Sequence, residues 1–171
     1  MSDIVSERFD AGIRLGGQIA HGMVAVRAGP DIRSAVVGAP SYFARHKIPT
    51  TPSELSDHSC INLRLPTYCG FYVWEFEKHG NRIKVNVCGQ LIFNSNHLMI
   101  DAAKAGLGLA FLPEDIILQD LQNGNLVSVL GEWCATFPGW HIYYPSGSDM
   151  TPAFRLVLDA LRYREPSSAS P

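Results

Sequence analysis

The stretch NHLMIDAAKAGLGLAFLPEDII, residues 96–117, decides the fold, because its GLG triplet belongs either to a phosphate-binding loop or to the end of a helix. Residues 98–105 are rich in helix formers and follow good N-cap residues. Gly106 stands where a left-handed residue ends a helix, and the apolar run after it predicts a short buried strand. A dinucleotide-binding glycine loop has the reverse order, strand before helix. The triplet therefore predicts the end of a helix, and no nucleotide site.

Strands and helices alternate on both sides of this stretch. Pro113 is predicted to open a helix that Gly124 ends, and Thr151 with Pro152 to cap and open a C-terminal amphipathic helix. The apolar face of that last helix holds Phe154, Val157, Leu158 and Leu161. Other strands are predicted in DAGIRLGG, GMVAVRAG, IRSAVVGAP, SCINLR, GQLIFN and WHIYYP, with short helices at SYFARH and TPSEL. The alternation predicts an α/β layered fold.

Two local motifs give sharper expectations. Thr51 and Glu54 have the spacing of a capping box, with Pro52 as the first helical residue. The segment FYVWEFEKHGNRIKVNV alternates around a turn, which predicts a hairpin. Gly80 and Asn81 are expected to supply the positive φ angles of that turn.

Composition places the chain among globular proteins. It has 171 residues, 46% of them hydrophobic and 18% charged, with a formal net charge of −2. That charge argues against unaided binding to DNA or to an anionic membrane. No apolar stretch approaches the ~20 residues of a membrane span. The N-terminal MSDIVSERFD lacks a secretory pattern, so a cytoplasmic location is expected.

The residues that could carry catalysis or bind a metal form no strong pattern. YPSGSDM lacks the G-x-S-x-G order of a nucleophile elbow. His58 and Cys60 stand two apart, but two ligands do not make a metal site. The four cysteines, without a CxxC pair, are expected to be reduced and mostly buried. We therefore expect no enzyme activity, no metal and no cofactor.

One segment favours ligand binding. FNSNH places Asn94, Ser95 and Asn96 at the end of a strand and the start of a helix. A helix N-terminus presents N–H groups and a partial positive charge to a carboxylate or another anion. The alternative is that Ser95 or Asn96 caps the helix with nothing bound. The segment alone leaves both interpretations open.

The order of the motifs resembles the effector-binding domain of LysR-type transcriptional regulators. The segments that carry the resemblance are DIVSERFDAGIRLGG, MVAVRAGPDIRSAVVGAPSYFARH, TPSELSDHSCINLR, AAKAGLGLAFLPEDII, LQNGNLVSVL and WHIYYPSGSDMTPAFRLVLDAL. The resemblance implies a two-lobed α/β domain like a type 2 periplasmic binding protein, with a small effector in the cleft. By that resemblance, 36–144 is the second lobe, and 1–35 with 145–171 is a remnant of the first.

The same resemblance implies that parts of the family pattern are absent. Neither the helix-turn-helix nor the opening strand–helix–strand of the first lobe is found in the sequence, so the first lobe is expected to be incomplete. DNA would then be contacted only through a helix-turn-helix that this chain lacks. A strand edge and apolar surface left uncovered predict marginal stability or a homo-oligomer.

The predicted effector is a small polar or anionic organic molecule. It is expected between Asn94, Ser95 and Asn96 on one side and Ser41, or the loop at Gly16 and Gly17, on the other. The expected apolar walls of the pocket are Phe93, Leu98 and Tyr144.

Two other classes of function remain as alternatives. One is a free-standing small-molecule-binding protein of the periplasmic-binding type, against which the missing signal pattern argues. The other is an α/β enzyme that uses His58, Cys60 or the serines. The sensor domain of a LysR-type regulator is the leading prediction.

Overall fold

The computed structural model describes residues 9–15, 22–65, 70–147 and 150–165. Contacts between Cα atoms divide the chain into a smaller unit, residues 1–32 with 137–171, and a larger unit, residues 33–136. The predicted second lobe, 36–144, covers the same central stretch but starts and ends later. Its assignment as a lobe stays a prediction.

The elements follow the predicted alternation of strands and helices. The strands are β1 (Gly12–Leu15), β2 (Met23–Arg27), β3 (Ile32–Gly38), β4 (Cys60–Leu63), β5 (Trp74–Lys78), β6 (Asn81–Val85), β7 (Ile92–Phe93), β8 (Leu109–Pro113), β9 (Val127–Val129), β10 (Thr136–Phe137) and β11 (Trp140–Pro145). The α-helices are α1 (Pro40–Phe43), α2 (Asn96–Lys104), α3 (Leu118–Gln122) and α4 (Pro152–Leu161). Two 3-10 helices span Pro52–Asp57 and Glu114–Ile117.

The smaller unit is built on a sheet in which β11 is the central strand. β1 and β2 both pair with β11 in the antiparallel sense, with Gly12 opposite Tyr143 and Ala25 opposite the same tyrosine. Ile142 and Tyr144 of β11 and Leu158 of α4 are buried together as its core. Every described hydrogen bond of this sheet therefore involves β11.

Helix α4 begins as predicted, but its apolar face is only partly buried. The Thr151 Oγ1 accepts a hydrogen bond from the Phe154 N–H at 3.2 Å, and Pro152 is the first helical residue. Leu158 is buried, whereas Val157 and Leu161 are 51% and 46% exposed. The predicted amphipathic helix is present, and the described core of the smaller unit covers only part of its apolar face.

The larger unit is built on a sheet with the order β10-β3-β8-β4-β7, and β9 also pairs with β3. β4 runs parallel to both β7 and β8, and β3 runs antiparallel to β8. Alternate residues of β8 enter two different cores: Ala110 and Leu112 pack with α2, whereas Leu109 and Phe111 pack with the β5–β6 hairpin. Burial on both faces explains the unbroken apolar sequence of this strand.

The GLG triplet separates α2 from β8, as the sequence predicts. Gly106 has φ +73°, and its N–H donates to the Ala103 carbonyl at 3.0 Å. The Leu107 N–H donates to the Ala102 carbonyl at 3.1 Å, which completes a Schellman motif. The side chain of Leu107 is 54% exposed. These two backbone hydrogen bonds terminate α2.

The predicted hairpin is present, but its turn lies one residue earlier than expected. Lys78 pairs with Asn81, so the positive φ angles belong to His79 (51°) and Gly80 (77°). The register is fixed by the strand pairing and by Trp74 and Phe76, whose side chains are buried in the core. Asn81 is consequently the first residue of β6 and not part of the turn.

The capping box at residues 51–54 forms only in part. The Glu54 carboxylate accepts the Thr50 N–H at 2.6 Å, one residue before the expected partner. Thr51 makes no side-chain capping bond and instead shares a hydrogen bond with the Ser53 hydroxyl at 2.9 Å. The segment Pro52–Asp57 winds as a 3-10 helix, which shifts these partners relative to an α-helix.

No helix within the described residues combines the length and the apolar character needed to cross a membrane.

Candidate functional site

The candidate site lies where the parallel strands β4 and β7 end. Leu63 pairs with Phe93, and the Arg64 N–H donates to the Phe93 carbonyl at 2.7 Å. The chain then passes through Asn94 and Ser95 into α2. Polar residues therefore follow the carboxyl ends of two parallel strands, which is the edge at which open α/β sheets bind ligands.

The N-terminus of α2 is not capped by the side chain expected there. Ser95 is the N-cap residue in an extended conformation, and its hydroxyl makes no capping hydrogen bond. Its carbonyl accepts the Met99 N–H at 3.3 Å. The interpretation of Ser95 as a side-chain cap is wrong, because its hydroxyl accepts no N–H of the first turn. The N–H groups of the first turn keep the capacity to bind an acceptor.

The three predicted residues at this edge differ in exposure. Asn94 is exposed, whereas Ser95 and Asn96 are partly buried. An exposed amide next to partly buried polar groups is suited to contact with oxygen atoms of a small molecule.

Arg64 is a residue at this edge that the sequence analysis did not single out. Its backbone bonds to β7 immediately before Asn94, and its guanidinium lies 5.7 Å from the centre of the Phe71 ring. The side chain is exposed. An arginine at the last position of the predicted strand SCINLR was the available signal, because the end of a strand lies at the sheet edge.

Asn62 and Ser34 are also near this edge, but they serve the fold. The buried Asn62 Oδ1 accepts the Leu63 N–H at 2.8 Å and the Trp74 Nε1–H at 3.3 Å. Ser34 is buried and pairs with Pro113 at the end of β8. Both positions help to fix the strand ends from which the exposed polar residues project.

Ser41 does not join this group. It lies in α1, and its Oγ is 2.6 Å from the position that a Cβ on Gly106 would take. Gly106 follows the C-terminal end of α2, whereas Asn94, Ser95 and Asn96 lie at its N-terminal end. A helix of nine residues spans about 13 Å. The structure therefore does not bring Ser41 and these residues to one small ligand, since the fold puts them at opposite ends of a helix.

The remaining predicted residues are distributed as follows. Tyr144 belongs to the smaller unit, where it is buried and packs edge-to-face on Phe154 with ring centres 5.4 Å apart. Phe93 is partly buried beside the core of the larger unit, and Leu98 is 48% exposed. Gly16 and Gly17 lie outside the described residues. A ligand contact by any of these residues stays a prediction.

His58 and Cys60, the residues considered for catalysis, are used by the fold. The His58 Nδ1 and the Tyr42 hydroxyl form a hydrogen bond of 3.1 Å. Burial raises the pKa of the Cys60 thiol to about 12, so its thiolate is not formed near neutral pH. In the part of the chain that the structure describes, no group of three or more histidine, cysteine and acidic side chains is placed to hold a metal ion.

The family of the chain follows from comparison with known proteins. The model of the LysR substrate binding domain family matches residues 1–165. The chain belongs to this family, as the order of its motifs predicted.

Two relatives illustrate the similarity. A protein of Pseudomonas aeruginosa named "Putative transcriptional regulator" is 50% identical over 96% of this chain and 54% of its own length. The HTH-type transcriptional regulator PgrR of Escherichia coli K12 is 44% identical over 96% of this chain and 55% of its own length. The chain thus spans about half the length of the curated relatives it matches.

Solved structures show the same fold. The full-length virulence activator AphB of Vibrio cholerae, a member of the LTTR protein family, matches with a TM-score of 0.76 and 22% identity, over 91% of this chain and 52% of AphB. The regulatory domain of AphB in Vibrio vulnificus matches with a TM-score of 0.73 and 23% identity, over 91% of this chain and 75% of that domain. The predicted fold class is confirmed.

Proposed function

We propose that the chain is the effector-sensing domain of a LysR-type transcriptional regulator and that it binds a small polar or anionic molecule at the carboxyl ends of β4 and β7. The observation that carries the proposal is the start of α2, where Asn94, Ser95 and Asn96 follow a parallel strand and Ser95 makes no side-chain cap. Membership of the LysR substrate binding domain family supports it.

The chemistry of this edge suits an anion or a polarised oxygen atom. A helix N-terminus stabilises negative charge by roughly 0.3–1 kcal/mol when exposed and by up to about 2 kcal/mol when partly buried. The amides of Asn94 and Asn96 offer both donors and acceptors, and Arg64 adds a guanidinium that binds carboxylates in two-point fashion. Ser41 is not part of the proposed site, whereas contacts by Gly16, Gly17 and Tyr144 stay predictions.

The bound molecule would act as a signal and not as a substrate. A ligand shifts the balance between conformations only by its difference in affinity for them. We propose that DNA is contacted through a helix-turn-helix elsewhere in the whole protein. We also propose that the regulator works as an oligomer, and that it works in the cytoplasm, where its DNA is. We also propose that the chain has no catalytic activity, because its family is one of regulators.

A thermal-shift screen of small carboxylates with the 171-residue chain tests the proposal. A ligand present at about 100 times its dissociation constant is expected to raise the free energy of unfolding by about 2.7 kcal/mol. Asn96→Ala should weaken binding of any ligand found. The matched control is Asn86→Ala, which removes an exposed asparagine after β6.

The outcomes distinguish a wrong binding site from a wrong assignment of function. Equal affinity of wild type, Asn96→Ala and Ser95→Ala for a ligand found in the screen would place the ligand elsewhere in the domain. Turnover of a generic ester by the purified chain, lost in His58→Ala, would support the enzyme alternative instead.

A further inference from the structure

A second polar pocket lies in the larger unit at the edge of the sheet opposite the proposed effector site. It has a volume of about 320 Å³ and is lined by residues 45–49 after α1 and by Glu54, Asp57 and His58. His58 precedes β4, so the pocket lies at the amino end of this strand, whereas Asn94 follows the carboxyl end of the neighbouring parallel strand. The two sites are therefore distinct.

The hydrogen bonds around Tyr42 hold the ring of His58 in place. The buried Tyr42 hydroxyl accepts the Ser59 N–H at 3.1 Å and forms a second hydrogen bond of 3.1 Å with the His58 Nδ1. When Nδ1 accepts the hydroxyl proton, the neutral His58 ring carries its own proton on Nε2. Burial, with a smaller contribution from His46, lowers the pKa of His58 and favours this neutral form. His58 thus offers one N–H donor.

His46 has the opposite tautomer. Its Nδ1 lies 3.0 Å from the Tyr42 carbonyl oxygen, which can only accept, so the proton is on Nδ1. The Nε2 of the neutral ring is then an acceptor, and protonation turns it into a charged donor. The ring is exposed and stacks on Tyr42 with centres 4.1 Å apart and planes 12° apart. The Nδ1 hydrogen bond and the stacking on Tyr42 fix the position of this ring.

Among the described residues, the cations of the pocket form no close ion pair, although the charge of Lys47 contributes to lowering the pKa of Glu54. Arg45 donates to the carbonyls of Ser41 and Gly106 at 3.3 Å each, which holds the guanidinium in place without neutralising it. Within the described residues neither Arg45 nor Lys47 has a carboxylate within 4.0 Å. The Glu54 carboxylate is already satisfied by the Thr50 N–H, which lowers its pKa.

We propose that this pocket binds a small oxyanion and that protonation of His46 completes the site. The His46 and His58 rings have centres 6.2 Å apart. Charge-assisted hydrogen bonds to an oxyanion span about 2.7–2.9 Å, so one tetrahedral anion can reach both rings. The titratable and charged groups that face the two rings are Tyr42, Arg45, Lys47, Glu54, Asp57 and Cys60. With His46 protonated, the positive charges of the pocket outnumber the negative ones.

Sulfate is the probe of choice, because its charge stays constant over the range in which histidines titrate. Sulfate is titrated into the full chain at constant ionic strength, at about pH 5.5 and about pH 7.5, while the imidazole NMR signals are followed. We expect saturable shifts of His46 and His58 and an affinity about fivefold or more higher at the lower pH, the size of a typical coupling between two ligands.

Three variants make the result decisive. His46→Gln should abolish the pH dependence, and Lys47→Gln should weaken sulfate binding at both pH values while keeping the dependence. His141→Gln is the matched control, since the His141 Nδ1 also bonds to a backbone carbonyl (that of Gly139, at 2.9 Å) but lies in the smaller unit. Because His46 and Lys47 are exposed, both variants are expected to fold. Unchanged pH dependence in His46→Gln, sulfate shifts of His141 as large as those of His46, or no saturable shift at the lower pH would overturn the proposal.

Discussion

At the scale of single residues, Tyr42 connects burial with protonation. Its hydroxyl bridges the Ser59 N–H and the His58 ring, and its own ring is buried under His46. Burial is the main cause that lowers the pKa of His58, and the charge of His46 contributes to it. The native fold therefore disfavours the charged imidazole.

A pH dependence of stability follows. The pKa of His58 is lowered in the folded chain by burial, from an ordinary value of 6.5. The unfolded chain thus takes up the proton first as pH falls, so stability present above about pH 6.5 is lost as pH falls through the folded pKa. Urea unfolding from about pH 7.5 to about pH 5 should show this decline, and His58→Gln should flatten it.

The control for this prediction is an exposed histidine. His97→Gln removes an imidazole from the exposed side of α2 and should leave the decline in place. Equal pH slopes for wild type and His58→Gln would show that another group is responsible.

Residue positions fixed by local geometry could be predicted from the sequence. Gly106 was identified because a left-handed helix end depends on its near neighbours alone, and its φ of +73° agrees. The turn of the hairpin was placed one residue late, because His79 at φ 51° is an uncommon non-glycine choice. The position of Ser41 beside Gly106 depends on packing between distant segments, about which local sequence says nothing.

At the scale of elements, α2 and α4 begin in physically different ways. Thr151 caps α4 with its hydroxyl, whereas Ser95 occupies the same position of α2 without such a bond. Both helices have a residue with a good capping side chain, so sequence alone cannot separate them.

The two caps provide a matched pair of substitutions. Thr151→Ala should lower the free energy of unfolding by about 1 kcal/mol, the typical cost of a lost cap. Ser95→Ala should cost much less, since no capping bond is lost. Urea unfolding of both variants measures the difference. A Ser95→Ala cost as large as that of Thr151→Ala would mean that Ser95 caps α2 in solution.

At the scale of the whole molecule, α4 presents apolar surface. Val157 and Leu161 lie beside the buried Leu158 and are about half exposed. Apolar residues that share a helix face with a core residue are typical of a surface that another segment or another chain covers. The amphipathic pattern was predicted correctly, but the sequence does not state what covers it.

We expect self-association through this surface. Sedimentation velocity of the chain should show oligomers, and Leu161→Lys should shift them toward the monomer. Leu156→Lys is the matched control, because Leu156 is 72% exposed and lies on the side of α4 opposite its apolar face. A strictly monomeric wild-type chain, or equal effects of the two lysine substitutions, would contradict the prediction.

The central place of β11 in the smaller unit also sets an order of events during synthesis. A ribosome makes the chain from its N-terminus at about 5–20 residues per second, so β1 and β2 leave it long before the strand they pair with. Strands β3, β4, β7 and β8 of the larger unit are all complete before Trp140 is made. The larger unit is thus free to fold first, whereas the described pairings of β1 and β2 form only after β11 has been made.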